Sequence, residues 1–312
     1  MGRAFGKRDM KTPLDCIPCI IRQALNAARM VSADPTVHAS IIRQVLRWAA
    51  DMDLDQPPPV MTQRIHRQLR VITGVEDPYR VAKEHQNRMA LRLLSELKTE
   101  LGAASDPLQM AVRMAIAGNV IDMGMNGNVT ESHVRESINR ALCESFAGEL
   151  ESFRQAVSKA RRILYLADNA GEIVFDRLLI EQLAVERVTL AVRGIPILND
   201  ATNEDARAAG LDKIVEIIDN GLDVPGTLLE HCNQEFARRF SESDLIIAKG
   251  QGNFETLCDE PRDIFFLFKV KCPVIADHAG LAVGTHVLGR SNTMNSLGAG
   301  RKSMNLNNIE RV

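Results

Sequence analysis

The chain has 312 residues, 45% hydrophobic and 25% charged, with a formal net charge of −2, the balance of a globular protein with one large or two modest domains. So small a net charge draws neither nucleic acid nor an anionic membrane, and 4% aromatics with one tryptophan, Trp48, make no base-stacking platform. No apolar run approaches the roughly 18 residues of a membrane span, and no apolar core follows the basic residues 1–11, so a cytoplasmic location is expected.

In chain order, residues 14 to about 160 carry helical periodicity and almost no strand signal. The helical stretches are "CIIRQALNAARMV", "TVHASIIRQVLRWAADMD", "RVAKEHQNRMALRLLSELKTELG", "DPLQMAVRMAIAGNVIDMG" and "VTESHVRESINRALCE". In the third, Met89, Leu93, Leu94 and Leu97 form one apolar stripe. "DQPPP", 55–59, is a rigid break between helices. "RQLRVITGVEDPYR", 67–80, reads as a surface linker, and "MGMNGNVTES", 123–132, as a loop with Thr130 as N-cap of the next helix.

From about 160 the pattern becomes short apolar strands alternating with helices. Strands are expected at 163–167, 188–192, 214–218, 245–248 and 274–276. Their starts lie roughly 25–30 residues apart, the spacing of right-handed βαβ units in a parallel sheet. The expected fold is therefore α/β. An all-helical domain (1–160) precedes a Rossmann-like, mostly parallel sheet domain (161–290), and an aperiodic tail (291–312) follows.

Polar residues gather where the strands end: Asp168 and Asn169, then Asn199 and Asp200, Asp219 and Asn220, Lys249, and finally Asp277 and His278. In an open parallel sheet these points share one rim, the carboxyl edge where ligands bind. Turn-making and helix capping account for any one of these residues, but poorly for Lys249. Asp168, Asn169 and Asp200 offer only oxygen, which suits a hard divalent cation: Mg2+, Mn2+, Co2+ or Ni2+. Ala170-Gly171-Glu172 opens a helix whose first amides suit an anion, and Lys249 beside Gly250 adds a positive charge. Cation, lysine and helix amino end together describe a phosphate site. "GQGNFE" departs from a dinucleotide fingerprint because Glu255 replaces the third glycine, and neither a P-loop nor a serine elbow is present.

"DNAGE", "NDAT" and "AKGQGNFE", in this order, resemble the damage-control phosphatase family, also known as domain of unknown function eighty-nine. "LDCIPC" and "AIAGNVIDMG" match too, over about residues 12 to 285, and suggest its prokaryotic branch. The resemblance implies a helical part on a Rossmann-like part. It implies a metal-dependent phosphatase acting on small phosphorylated metabolites such as damaged sugar phosphates. It makes Asp168, Asn169 and Asp200 metal ligands, puts Lys249 on the phosphate with Asn199 nearby, and places Asn119 and Asp122 on the substrate side. Gly171, Glu172, Gly250 and Glu255 match the motifs as substrate-binding positions, and Asp205 supports the site.

Cys16 and Cys19 stand at the mouth of the first helix, where a thiolate is favoured, as an accessory metal or redox pair or as packing. Cys143, His38 or His66 would be needed to complete a tetrahedral site. Cys143, Cys232, Cys258 and Cys272 are spaced like core residues, and six cysteines make no secreted disulfide scaffold. Of the histidines, His278 is placed at the rim, with His85, His133 and His231 on solvated helix positions. Two other readings compete with the phosphatase: methyl transfer from S-adenosylmethionine, and a non-catalytic module that binds a phosphometabolite. Nothing in the sequence specifies an oligomeric state.

Overall fold

In a computed structural model, residues 10–119, 130–144, 146–148 and 150–291 are described. Six helices come first: α1 (Cys16–Val31), α2 (Pro35–Ala50), α3 (Pro58–Thr73), α4 (Arg80–Gly102), α5 (Pro107–Ala117) and α6 (Glu131–Cys143). Their starts follow from local chemistry. Asp34 and Asp106 accept from Thr36 N and Gln109 N, each with proline at the first helical position, where no amide hydrogen is needed. Thr130 caps α6 as expected. Residues 123–129 of the expected loop, and the tail from 292, lie outside the described residues.

The stretch 67–80 is not a linker. Its first half completes α3, where Arg67 and Arg70 grip the buried Asp223 carboxylate beside Gln63 (2.6 Å). The two arginines are one helical turn apart, so both reach one partner, a tertiary pairing that local pattern does not reveal.

The second half alternates β1 (Ala147–Gly148), α7 (Leu150–Lys159), β2 (Ile163–Leu166), α8 (Glu172–Ile180), β3 (Val188–Val192), α9 (Asn203–Ala208), β4 (Glu216–Asp219), α10 (Gln234–Glu242), β5 (Leu245–Lys249), α11 (Gly250–Leu257), β6 (Ile264–Lys269), α12 (Pro273–Ala279) and β7 (His286–Arg290). They build a seven-stranded sheet in the order β1-β7-β6-β5-β2-β3-β4, parallel except where β7 meets β6. The expected Rossmann-like fold is present, with one strand misplaced. Residues 274–276 are not a strand; they belong to α12, which Pro273 opens. The strand is β6, "IFFLFK", a continuous apolar run buried on both faces that shows no alternation. β1 precedes residue 161 yet joins the sheet through β7.

Alternate residues of each central strand enter opposite cores. Ile163 and Tyr165 of β2, Leu245 and Ile247 of β5, and Phe265 and Leu267 of β6 pack with α4, α5, α6 and α8. Leu164, Leu166, Ile246, Ala248, Phe266 and Phe268 pack with α10, α11 and α12. The helical half thus shares its core with the sheet. A third core unites α1, α2 and α3 and takes in Ile197 and Leu198 of the β3–α9 loop.

His66, on α3, belongs to that third region. It is buried, 5.5 Å from the Tyr79 ring, and its Nε2 has no hydrogen-bond partner. Burial, aided by Arg70, lowers its pKa to about 3. The unfolded chain protonates His66 near pH 6.5 and the folded one near 3, so stability is present above 6.5 and lost as the pH falls. The loss reaches about 2 kcal/mol by pH 5. His66→Phe is expected to flatten that part of the profile, and equilibrium urea unfolding at pH 7 and pH 5 checks it.

Candidate active site

From β2 the chain moves outward through β3 and β4, then returns to the other side of β2 as β5. The strand order therefore reverses between β2 and β5, and a crevice opens outside the carboxyl ends at such a point. Asp168 and Asn169 follow β2, and Lys249 and Gly250 end β5 and open α11.

The loop after β3 is laced onto the loop after β2. Ala170 N donates to Asn199 O (2.8 Å), Ala201 N donates to Asp168 O (2.7 Å), and Asn169 and Asp200 form an antiparallel bridge. Residues paired in this way carry their side chains on one face. So Asn169 and Asp200 share a face, the loops after β2 and β3 run side by side, and Asp168, Asn169, Asn199 and Asp200 are all buried along them. Leu198, just before Asn199, has φ +46°. A buried leucine in the left-handed region costs roughly 1–3 kcal/mol and marks a position held for a purpose. The third core holds it there.

Beneath these loops lies an ionic cluster. Lys249 Nζ donates to Glu172 Oε1 (2.7 Å), Asp176 Oδ1 (2.5 Å) and Ala115 O (2.8 Å) and is fully buried. Tyr165 Oη also donates to Asp176 Oδ1 (2.9 Å). Glu172 Oε2 accepts from Asn119 Nδ2 (2.7 Å) and Asn169 Nδ2 (3.0 Å), and the Asn169 amide also reaches Asp168 Oδ2 (2.7 Å). Burial would lower the Lys249 pKa, but Asp176 and Glu172 raise it above the ordinary lysine value. Burial pushes the Asp176 carboxyl up to about 6 against the pull of Lys249.

This geometry alters two expectations. All three ammonium hydrogens of Lys249 are engaged by the protein, because its side chain leaves β5 on the face covered by α5 and α8. Here it is the counter-ion of Glu172 and Asp176 and makes no open anion contact. The amides ahead of α8 are also used: Ala170 N by Asn199 O, and Gly171 N by Asn87 Oδ1 (2.7 Å). The helix that begins against Asp168 is α11. Gly250 has φ +78°, and a Cβ there would stand 1.9 Å from Asp168 Oδ2. Gly250→Ala is expected to strain the turn by about 1–2 kcal/mol and to displace the carboxylate. Misplacement on the scale of 1 Å costs about 10²-fold in kcat. Steady-state turnover beside a thermal melt checks this.

Arg193, immediately after β3, was not singled out in the sequence. It is buried, and its Nε donates to Asp200 Oδ2 at 2.7 Å. Asn253 ties the crevice floor together, donating to Lys249 O (2.8 Å) and Ala167 O (3.2 Å) and accepting from Thr227 Oγ1 (2.8 Å). Asp205 is braced by Lys83 Nζ (2.9 Å) and Asn87 Nδ2 (2.8 Å), both from α4. Legible signals existed: Arg193 occupies a strand end, and Asp176 is a charge one turn after Glu172 on an apolar helix. Asn87, Lys83 and Asn253 carry no local signal.

Other candidates do not join the cluster. Asp219 and Asn220 serve the turn, accepting from Gly221 N (3.0 Å) and from Gly194 N and Leu222 N (3.2 and 3.0 Å). Asp277 and His278 are exposed on α12, where His278 Nε2 lies 3.5 Å from Cys258 Sγ. Glu255 sits further along α11, bonded to Gln251 (2.8 Å), and burial pushes its carboxyl up to about 7. Cys16 and Cys19 are free thiols in the first turn of α1. Burial, with Glu255 and Cys272 nearby, pushes Cys16 up to about 11 and raises Cys19, the reverse of the thiolate expected from a helix amino end. Cys232, Cys258 and Cys272 are half-buried and pack against the second core, as their spacing suggests, whereas Cys143 is exposed. Asp122 lies outside the described residues.

An open, mostly parallel α/β sheet with a buried ionic cluster at its switch point places the protein in the doubly wound class, whose ligands bind at that edge. More narrowly, the chain belongs to the damage-control phosphatase ARMT1-like family, whose domain model matches residues 12–287. It is 35% identical over 301 residues to an uncharacterized protein of Methanocaldococcus jannaschii, covering 91% of this chain and 97% of that one. It is 35% identical over 285 residues to a protein of Archaeoglobus fulgidus named damage-control phosphatase, covering 89% and 98%. The crystal structure of a DUF89 family protein from Pyrococcus horikoshii matches with a TM-score of 0.83 at 31% identity, covering 90% of this chain and 99% of that one. The resemblance carried by the three motifs therefore holds, and with it the fold and the phosphatase class.

Proposed function

We propose that the protein hydrolyses small phosphomonoester metabolites with a divalent cation held by Asp168, Asn169 and Asp200. One observation carries the cation. The loops that carry Asp168, Asn169 and Asp200 are laced together at the carboxyl edge of the sheet, where Asn169 and Asp200 form a bridge and Ala201 N donates to Asp168 O, so oxygen donors from two strand ends meet at the switch point. A hard divalent cation is the partner that such buried oxygen donors accommodate. Among the described residues no three His, Cys, Asp or Glu side chains form a group that could hold a metal ion. The donor set argued for is instead two carboxylates and an amide, and it fits Mg2+, Mn2+, Co2+ or Ni2+.

When bound, such a cation polarises phosphoryl oxygens and screens the charge of an in-line displacement. The chain's own residues supply the rest. Arg193 holds one oxygen of Asp200, the amino end of α11 faces Asp168, and Lys249 neutralises the carboxylates below the crevice floor. Burial keeps water from weakening these interactions.

The test is phosphate release from a panel of sugar and polyol phosphates by metal-stripped protein, before and after each cation is restored. Release that returns with a cation supports the reading. Folded protein that binds cations and releases nothing from any ester would make it a phosphometabolite-binding module.

A further inference from the structure

One side chain of the helical half is bonded to both segments that continue the laced loops. Asn87, buried on α4, accepts from Gly171 N (2.7 Å) and donates to Asp205 Oδ1 (2.8 Å). Gly171 stands two residues past Asn169 and is the N-cap of α8. Asp205 stands five residues past Asp200 and completes the capping box of α9 with Thr202.

The partners settle which way the Asn87 amide is turned. A backbone N–H only donates and a carboxylate only accepts, so the reversed amide would lose both bonds. Each partner is held in its turn. Gly171 has φ +73° and no side chain with which to cap α8, so Asn87 Oδ1 serves its amide from another element. Asp205 Oδ2 accepts from Thr202 N (2.8 Å), Thr202 Oγ1 (2.8 Å) and Lys83 Nζ (2.9 Å). Lys83 precedes Asn87 by one turn of α4, so the two residues grip Asp205 from one helix face.

The backbone lacing joins residues 168–170 to 199–201 and goes no further. It sets how the loops lie side by side. Asn87 carries the tie onward, to the start of α8 on one side and the start of α9 on the other. We infer that Asn87 is a positioning residue that fixes the Asp168–Asn169 loop against the Asp200 loop, and that cation affinity and turnover depend on it. It acts through the loops, by two hydrogen bonds of settled direction. The inference rests on the cation reading above and adds the residue that holds the donor loops in place.

The experiment measures Mn2+ affinity by titration calorimetry on metal-stripped, full-length protein, beside kcat for p-nitrophenyl phosphate at saturating Mn2+. Asn87→Leu removes both bonds at similar volume. It is expected to weaken Mn2+ binding at least about tenfold and to lower kcat by about 10²-fold. In the metal-free samples, amide exchange at Gly171 should quicken. A double variant, Asn87→Asp with Asp205→Asn, separates positioning from mere packing. It inverts donor and acceptor between positions 87 and 205 and keeps an acceptor for Gly171 N. Affinity and kcat should return to within about threefold of the unmodified protein. Asn87→Asp alone sets two carboxylates face to face and should stay impaired. A folded Asn87→Leu protein with unchanged Mn2+ affinity and kcat overturns the inference. So does a folded double variant no better than Asn87→Asp alone. Should Asn87→Leu fail to fold, the two isosteric variants decide, and the affinity comparison stands without turnover. Each overturning result leaves the phosphatase reading intact. Unmodified protein that binds no divalent cation defeats the cation reading instead, and this inference falls with it.

Discussion

Asp168→Ala is expected to abolish phosphate release, by at least about 10³-fold in kcat, while leaving the protein as stable as before. Asp168 occupies the switch point, against the amino end of α11 and beside the Asn169 and Asn119 amides. Its backbone carbonyl, which accepts from Ala201 N, survives the substitution, so the lacing of the two loops persists. The Asn119 and Asn169 amides that reach its carboxylate both keep Glu172 Oε2 as an acceptor. The substitution leaves neither amide without a partner, and the melting temperature should change little. Divalent-cation affinity, measured by calorimetry on the same samples, should fall with the activity. A folded Asp168→Ala protein that retains turnover would remove Asp168 from the chemistry.

Lys249→Met is expected to do the opposite to stability. It leaves Glu172 and Asp176 as facing, fully buried carboxylates, and breaking a buried pair by removing one partner costs about 3–5 kcal/mol. The sign of the pH dependence follows. Asp176, which burial already raises to about 6 against the pull of Lys249, rises further once that cation is gone, so stability is retained at low pH and lost as the pH rises. Chemical denaturation at pH 5 and pH 8 should show the variant weaker at pH 8 by a larger margin than the unmodified protein, whose Asp176 is raised only to about 6. Adding Asp176→Leu to Lys249→Met should recover part of the loss, because an apolar replacement of a buried ionic pair is often neutral. If Lys249→Met melts like the unmodified protein at both pH values, the counter-ion role is wrong.

The contrast explains what could be read ahead of the structure. Asp168, Asn169 and Asp200 were legible because strand ends at the carboxyl rim are marked by the βα rhythm itself. Lys249 was legible as a position but not as a role: its chain location says rim, while the direction of its side chain says core. Asp277 and His278 illustrate the converse error. They follow an apolar triplet that mimics a strand, yet Pro273 starts a helix there and the strand is the longer run before it.

Composition, charge and period determined that this is an α/β protein with helices first, and the three motifs determined its family. Those features are local, and local propensity and spacing encode them without reference to distant residues. Only the tertiary structure decided that Arg193 holds Asp200, that Asn87 and Lys83 brace the rim from a helix about a hundred residues upstream, and that Asn119 reaches Glu172 from beyond the end of α5. Such pairings depend on which side chains share a buried volume. That is a property of packing, and chain order does not carry it.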